Sequence, residues 1–228
     1  MEKGFRCAGA FLDLLFPPKC PFCQRVLDRP GVCGDCLERL PWTGGRDSLR
    51  DLGEGLLCAA PLWYQDSVRD ALRALKFQGR VTAAAPLGAL IARCAAEQFP
   101  GGFDAVTWAP VSRKRRRKRG YDQGRLLAES VCRTWGMEPA RLLEKTRDNR
   151  AQSGLADAGA RWENVKGVYR AVGGLSGRRV LLVDDICTTG ATLSACAQAL
   201  YSAGADKVFC AAAARTPQKA ENEDLRKD

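Results

Sequence analysis

The sequence predicts an α/β fold, with a parallel sheet and flanking helices, preceded by a small N-terminal module. From about residue 56 onward, short apolar segments typical of buried strands alternate with longer segments of helical period. Before that point, residues 19–41 are dense in Cys, Pro and Gly and contain too few apolar residues to form a core. The N-terminal module therefore needs a crosslink or a metal to fold, whereas the α/β domain does not.

The composition is that of a globular protein and excludes several classes. Hydrophobic residues make up 46% of the 228 residues and charged residues 27%, a balance unlike that of disordered chains. No run reaches the roughly eighteen apolar residues that span a bilayer, and no signal peptide is evident, so a cytoplasmic protein is expected. The chain has no histidine, which excludes Ser-His and Cys-His nucleophile pairs and imidazole metal ligands.

The elements follow from local patterns along the chain. An amphipathic segment at 10–16 is predicted to be a short helix that ends at Pro17, because proline cannot continue a helix. Apolar runs predict strands at 56–64, 105–109, 142–143, 180–183 and 208–213. Helical periodicity predicts helices at 68–77, 83–99, 126–135 and 191–203. The expected domains are a helix and ribbon at 1–45, the α/β domain at 46–217 and a charged tail at 218–228.

Four cysteines near the N-terminus form two CxxC pairs separated by nine residues. The pairs are Cys20 with Cys23 and Cys33 with Cys36. Two residues between thiols allow both sulfurs to bind one ion, and two such pairs complete a tetrahedron. This spacing predicts a closed structural Zn²⁺ site in a compact zinc ribbon; a redox pair or unrelated cysteines are the alternative. The other seven cysteines lie among apolar neighbours and are interpreted as buried thiols.

The segment 180–192 joins a buried strand to a helix through a turn rich in hydroxyl groups. Backbone N–H groups in the turn and the positive end of the next helix can bind an anion without lysine. Asp184 and Asp185, which precede the turn, suit sugar hydroxyls or a hydrated Mg²⁺. The alternative is a tight turn in which the acids only cap the helix. The candidate phosphate-binding residues are Thr188, Thr189, Gly190, Ala191 and Thr192.

An uninterrupted run of cations occupies residues 113–119 and supplies most of the net charge of +10. Adjacent like charges repel, so the run is predicted to be a solvated, mobile loop unless an anion neutralises it. Two functional interpretations compete with a plain loop. Arg113 and Arg119 could clamp pyrophosphate, or the run could bind nucleic-acid phosphates with Trp108 and Tyr121 as stacking partners for single strands.

The segment 180–192 resembles the phosphoribosyl-pyrophosphate motif of type I phosphoribosyltransferases. Taken with the four-cysteine ribbon, nearly the whole chain resembles the ComF family of competence-associated proteins. The motifs that carry this resemblance are Leu-Lys-Phe at 75–77, Pro-Val-Ser-Arg at 110–113, Arg-Gly-Tyr-Asp-Gln at 119–123 and the segment from Gln152 to Val165. One departure is Asp122, which stands where that family more often has Asn and which only accepts hydrogen bonds.

The resemblance implies a type I phosphoribosyltransferase-like fold and a role for each part of the site. Asp184 and Asp185 would be the catalytic acids that hold the ribose hydroxyls, and the turn 188–192 would bind the 5′-phosphate. The loop after the strand that ends near Pro110 would bind pyrophosphate, and the segment from Lys145 to Arg161 would close over the site and bind substrate. Mg²⁺ would bridge pyrophosphate and ribose during an oxocarbenium-like transfer, which depends on electrostatic stabilisation rather than on a strong base.

Three functions remain open at this point. The first is a Mg²⁺-dependent enzyme that moves phosphoribosyl onto an unidentified acceptor in the service of natural competence. The second is a phosphoribosyltransferase of nucleotide salvage. The third is a noncatalytic adaptor for DNA uptake that binds phosphoribosyl pyrophosphate, single-stranded DNA and a helicase-like partner.

Overall fold

A six-stranded sheet forms the centre of the computed structural model, which describes residues 17–148 and 167–217. The helix predicted at 10–16, Arg161 with most of the loop predicted at 145–166, and the tail at 218–228 lie outside these residues. Within residues 17–148 and 167–217, the helices lack the length and apolar character that crossing a membrane would require.

The sheet is parallel except at one edge. Its order is β1-β2-β8-β7-β4, and β3 also pairs with β8. Only β1 runs antiparallel, against β2. These strands are β1 (Leu49–Asp51), β2 (Leu57–Ala59), β3 (Leu62–Trp63), β4 (Ala105–Trp108), β7 (Arg179–Cys187) and β8 (Lys207–Arg215). A separate antiparallel pair consists of β5 (Leu143–Lys145) and β6 (Tyr169–Ala171).

Helices cover both faces of the sheet, as the alternation of side chains along β7 requires. Leu181 and Val183 contact the core on the side of α2, α3 and α5, whereas Val180 and Leu182 contact the core on the side of α6. The helices are α1 (Gly34–Arg39), α2 (Asp66–Phe77), α3 (Ala84–Gln98), α4 (Arg113–Arg119), α5 (Gln123–Trp135) and α6 (Ala191–Ser202). This three-layer arrangement confirms the predicted α/β class.

Two predicted strands differ in extent from the observed ones. The run at 56–64 is divided into β2 and β3 around Ala60 and Pro61, because the proline has no N–H to donate to the ladder. The strand predicted at 180–183 continues to Cys187, because β8 pairs with β7 as far as Arg215. The two acids at 184 and 185 therefore belong to the end of β7 rather than to a loop after it.

The basic run 113–119 is a helix, so the predicted loop is wrong. The side chain of Ser112 caps the first turn by accepting a hydrogen bond from the N–H of Arg115 at 3.3 Å. Gly120 ends α4 in the left-handed conformation, with φ of 84°, and its N–H bonds to the carbonyl of Arg116. Arg and Lys are good helix formers, and with caps at both ends this local preference overcomes the repulsion between like charges.

Helices α3 and α5 approach each other closely at Gly88. A Cβ at this position would lie 2.3 Å from the Cβ of Ser130 and 3.0 Å from the carbonyl oxygen of Leu127. The hydroxyl of Ser130 also donates to the carbonyl of Ala85, in the same turn of α3, at 2.8 Å. Only glycine allows this spacing without a shift of one helix.

We expect Gly88→Ala to lower the free energy of unfolding by about 1 kcal/mol, measured by urea denaturation. Overpacking typically costs roughly 1–3 kcal/mol, and the better helix propensity of Ala offsets about 1 kcal/mol of that loss. The control is Gly174→Ala, because no atom of the described residues lies within 4 Å of a Cβ built there. Equal stability of the two variants would contradict the close approach of α3 and α5.

Candidate functional site

A cleft of about 470 Å³ opens at the carboxyl ends of β4 and β7, the edge at which open α/β sheets bind ligands. Side chains and backbone from several parts of the fold converge on it, among them α2, the loop after β4, α4, the β5–β6 pair, the end of β7 and the turn that follows it. The residues that line it include Tyr64, Arg73, Lys76, Phe77, Val111, Arg115, Arg119, Gln123, Lys145, Tyr169, Asp184, Asp185 and the turn 188–192.

The acidic pair at the end of β7 has two different environments. Asp185 is 4% exposed, and its Oδ1 lies 2.9 Å from the Nζ of Lys76. Its Oδ2 is buried and has no hydrogen-bond partner among the described residues. Since an unpaired buried carboxylate oxygen is costly, this atom is a ready acceptor for a ligand hydroxyl or a hydrated cation.

Asp184 is half-buried, and its Oδ1 accepts the backbone N–H of Asp185 at 2.8 Å. Burial and then the charge of Asp185 raise the pKa of Asp184 well above its usual range, and the cation of Lys76 partly opposes this shift. Both acids line the cleft, and a cation or a hydroxyl donor there would offset the effects that raise this pKa. The donor set thus fits Mg²⁺, which prefers one or two carboxylates together with oxygens of its substrate.

The turn between β7 and α6 keeps its amide donors for a ligand. In the part of the chain that the structure describes, no group accepts a hydrogen bond from the backbone N–H of Thr188, Thr189 or Gly190. The hydroxyl of Thr189 accepts the N–H of Ala191, at 3.3 Å, where α6 begins. The turn therefore combines free amides with the positive end of a twelve-residue helix.

Glycine is required at position 190 for two reasons. Its φ of 81° lies in the left-handed region. A Cβ at this position would also lie 2.6 Å from the Cδ2 of Leu52, in the loop between β1 and β2. Leu52 thus packs directly against the turn and holds it in place.

Lys145 and Tyr169 face the cleft from neighbouring strands. The Nζ of Lys145 lies 3.3 Å from the Oη of Tyr169 and 5.1 Å from the centre of its ring. Burial, with a contribution from the charge of Arg115, lowers the pKa of Lys145 to about 8. Burial raises the pKa of Tyr169, and a hydrogen bond with Thr192 partly opposes this. A lysine with a lowered pKa therefore lies in the same cleft as the turn at 188–192.

The helical form of α4 divides the basic run between two surfaces. Arg115 and Arg119 are one turn apart and line the cleft. Arg113, two residues from Arg115 on the helix, instead lines a neighbouring groove of about 1050 Å³. Arg119, which was predicted from the sequence as a binding residue, thus lies in the cleft. Arg115 lies there as well, although it was not predicted.

The two aromatic residues expected to stack on nucleic-acid bases are occupied within the protein. Trp108 is 9% exposed and belongs to the hydrophobic core. The hydroxyl of Tyr121 donates to the carbonyl of Leu75. The exposed aromatic side chain beside α4 is Phe77, which is 61% exposed.

Asp122, which departs from the family pattern, shapes the loop after β4. One carboxylate oxygen accepts the N–H of Val111 at 3.1 Å, and the other caps α5 by accepting the N–H of Arg125 at 3.3 Å. Burial raises the pKa of Asp122, and these backbone hydrogen bonds oppose the shift. An acceptor suffices for this structural task, so Asp in place of Asn is compatible with the loop.

The four ribbon cysteines lie together, as their spacing predicts. The sulfurs of Cys20, Cys23, Cys33 and Cys36 are all within 4.8 Å of one another. The Sγ atoms of Cys23 and Cys33 are 3.6 Å apart, near the roughly 3.8 Å expected for a tetrahedron with Zn–S bonds of about 2.3 Å. The donor set fits structural zinc.

Several residues of the cleft had no signal of their own in the sequence. Lys76 and Phe77 appeared only within the Leu-Lys-Phe motif at 75–77, and Tyr64, Arg73 and Tyr169 in no motif. Tertiary packing brings them to the site, because α2 and β6 are distant in sequence from the turn at 188–192. Arg161 lies outside the described residues.

Comparisons with known proteins agree with both parts of this architecture. Residues 122–227 match the Phosphoribosyl transferase domain, and residues 11–47 match the Double zinc ribbon domain. Among solved structures, the allosteric regulatory enzyme of purine biosynthesis aligns with 61% of this chain at 21% identity and a TM-score of 0.41. The aligned part is 29% of that enzyme, so this chain spans under a third of it.

This chain aligns with most of the length of its curated relatives. DNA utilization protein YhgH of Escherichia coli (strain K12) is 29% identical over 83% of this chain and 80% of its own. Competence protein ComFC of Bacillus subtilis is 25% identical over 81% and 72%, and Competence protein F of Haemophilus influenzae is 25% identical over 91% and 89%. A double zinc ribbon domain ahead of a phosphoribosyl transferase domain, together with these relatives, supports the assignment of the chain to the ComF family.

Proposed function

We propose that this chain binds phosphoribosyl pyrophosphate, or a closely related sugar phosphate, with Mg²⁺ and transfers its phosphoribosyl group to an acceptor. The observation that carries this proposal is the turn at 188–190, whose backbone amides have no acceptor among the described residues, beside an acidic pair with a buried oxygen that likewise has no partner there. The names of its relatives, which refer to competence and to DNA utilization, support a role in DNA uptake, and we propose the cytoplasm as the place of this role.

The ligand lies across the cleft in an order set by charge. The 5′-phosphate accepts hydrogen bonds from the amides of the turn and from the hydroxyl of Thr192, at the positive end of α6. The ribose hydroxyls donate to the carboxylates of Asp184 and Asp185. Mg²⁺, held by the same carboxylates, would supply positive charge to the pyrophosphate.

The cations on the other side of the cleft stabilise the leaving group. Arg115, Arg119 and Lys145 line the cleft and are suited to the negative charge that gathers on pyrophosphate as its bond to C1 breaks. Such fixed charges act most strongly where water is excluded. The chemistry needs no histidine, in keeping with a chain that contains none.

A second candidate function, a noncatalytic adaptor that binds single-stranded DNA, is favoured by the outer face of α4. Five of its seven residues are exposed, namely Arg113, Lys114, Arg116, Arg117 and Lys118. Cations spaced along a surface bind nucleic-acid phosphates by releasing counterions, so the affinity falls with salt. A helicase-like protein would be the partner in this case. Nucleotide salvage, with the ribbon serving only stability, is the remaining alternative.

The first test of the proposal replaces the acids. We expect Asp184→Asn and Asp185→Asn to weaken the binding of phosphoribosyl pyrophosphate with Mg²⁺ by about tenfold to a hundredfold in titration calorimetry, because each change removes a charged acceptor. The matched control is Asp70→Asn, whose side chain is 73% exposed and lies outside the cleft.

Unchanged affinity in both acid variants would contradict the proposed site. Turnover is measured on the same proteins as pyrophosphate release with a panel of acceptors. Tight binding without release, together with salt-dependent binding of single-stranded DNA, would replace the enzyme by the adaptor.

The second test uses the lowered pKa of Lys145. The charged amine attracts an anion below about pH 8 and loses its charge above it, so the affinity for phosphoribosyl pyrophosphate should fall about tenfold between roughly pH 7 and pH 9. Lys145→Arg should keep the affinity across this interval because arginine stays protonated. Comparison of the two proteins isolates Lys145, since every other titratable group is the same in both. The same decline in wild type and Lys145→Arg would contradict a role for this amine.

The third test concerns the ribbon. The protein should contain about one equivalent of zinc, and Cys36→Ser should lower this content, measured by mass spectrometry of the metal. Strong chelation should unfold residues 19–41 while the sheet stays folded, because metal binding supplies the folding energy of such a module. Cys94→Ser, at a buried thiol in α3, is the control. Full zinc content in Cys36→Ser, or a single thermal transition unaffected by chelator, would rule the site out.

A further inference from the structure

A stack of an arginine on an aromatic ring stands at the rim of the cleft, where α2 ends. The guanidinium of Arg119 lies over the ring of Phe77, 5.0 Å from its centre. Phe77 is nevertheless 61% exposed, so much of the ring remains open to solvent. Both residues line the cleft. An exposed phenyl ring inside a polar cleft has no evident role in stability, because burial rather than exposure of apolar surface stabilises a fold.

The stack is held in place by neighbouring residues. Arg119 donates a hydrogen bond of 2.7 Å to the Oε1 of Gln123, and Gln123 is itself buried. Phe77 follows Lys76, whose amine contacts Asp185. The aromatic ring is therefore one residue from a side chain that touches the acidic pair, and its position does not depend on a ligand.

Two more residues of the cleft complete the surroundings of this ring. Tyr64 lines the same cleft, and its backbone is fixed to β8 by a hydrogen bond of 2.7 Å to the carbonyl of Arg215. Arg73 is exposed and lies one turn before Phe77 on α2. Within the described residues, no carboxylate comes within ion-pair distance of Arg73. This end of the cleft thus offers an aromatic surface and an uncompensated cation.

We propose that Phe77, Arg119 and Arg73 form the acceptor subsite, and that its ligand is a planar aromatic ring bearing a negatively charged substituent such as a carboxylate. The proposal rests on the proposed function and names its second substrate class. A flat ring can stack on the open part of Phe77, next to the guanidinium of Arg119. The substituent can form a forked ion pair with Arg73.

The chemistry of the transfer balances with such an acceptor. An unprotonated ring nitrogen forms the new bond to C1 of the ribose, while the bond from C1 to the pyrophosphate oxygen breaks. Its electron pair leaves with pyrophosphate, which the cations of the cleft stabilise. Since an unprotonated nitrogen has no proton to lose, this step requires no general base.

The test is a titration of the 228-residue, zinc-loaded protein with three probes, in the presence of Mg²⁺ but without phosphoribosyl pyrophosphate, so that no transfer consumes the probe. Nicotinate carries both the ring and the charge, nicotinamide has the ring without the charge, and cyclohexanecarboxylate has the charge without the aromatic ring. We expect nicotinate to bind about fivefold or more tightly than either of the others. Equal affinities for all three would overturn the proposal.

Variants separate the two contributions. Phe77→Leu should weaken nicotinate about fivefold while leaving the affinity for phosphoribosyl pyrophosphate within about twofold, and Phe77→Trp should preserve nicotinate binding. Val81→Ala, which alters an exposed apolar residue outside the cleft, is the control. A loss in Phe77→Leu that is matched in Val81→Ala would overturn the role of the ring.

The role of the positive charge is tested with two arginines that lie one turn apart on α2. Arg73→Gln should abolish the preference for nicotinate over nicotinamide, whereas Arg69→Gln, outside the cleft, should preserve it. If Arg73→Gln keeps the full preference, the proposed charge recognition is wrong.

Failure of the subsite and failure of the proposed function give different results. If phosphoribosyl pyrophosphate binds but nicotinate shows no preference, only the acceptor subsite is wrong. If phosphoribosyl pyrophosphate fails to bind while nicotinate still prefers the cleft in a Phe77-dependent way, the subsite survives and the transferase does not. If Phe77→Leu weakens oligothymidylate and leaves nicotinate unchanged, the ring serves single-stranded DNA and the proposal is overturned.

Discussion

The ion pair between Asp185 and Lys76 is the contact on which the cleft depends, because it joins the end of the central strand to α2. Both groups are largely buried, so loss of either partner would leave a charge without water or a counterion, which is strongly unfavourable. The pair fixes α2, and with it Phe77 and Arg73, at a set distance from the turn that follows β7. Among the described residues, the second oxygen of Asp185 is buried without a hydrogen-bond partner, so the side chain that joins β7 to α2 also keeps a free acceptor beside the cleft.

The turn at 188–192 and the loop after β4 are positioned by quite different means. The turn relies on a glycine in the left-handed region that packs against Leu52. The loop after β4 relies on Asp122, which joins Val111 to the first turn of α5. Both sets of contacts fix the position of backbone rather than of side chains. Backbone amides at fixed positions suit a ligand with several phosphates, because they need no rearrangement to bind an anion.

The sequence predicted the strand, turn and helix around residues 180–203 because their signals are local: a β-branched run, a glycine and a regular helical pattern. It also predicted the ribbon, since two CxxC pairs define their own geometry. It missed the helix at 113–119, because repulsion between like charges favours a loop, whereas capping by Ser112 and Gly120 favours the helix. Because this helix was not predicted, helical periodicity could not be used to predict that Arg115, rather than Arg113, faces the cleft. Tyr64, Arg73 and Tyr169 reach the site only through the packing of distant segments.

Helix α4 carries seven positive charges, with Arg115 and Arg119 turned toward the cleft and the remainder toward solvent. Every cation on so short a helix raises the free energy of the others, and an anion on either side lowers it. Binding of an anion to one face of α4 must therefore change the affinity of the opposite face for an anion. Thermodynamic linkage makes the two effects equal. An anion in the cleft and a polyanion on the outer face of α4 would therefore influence each other's binding through a helix only two turns long.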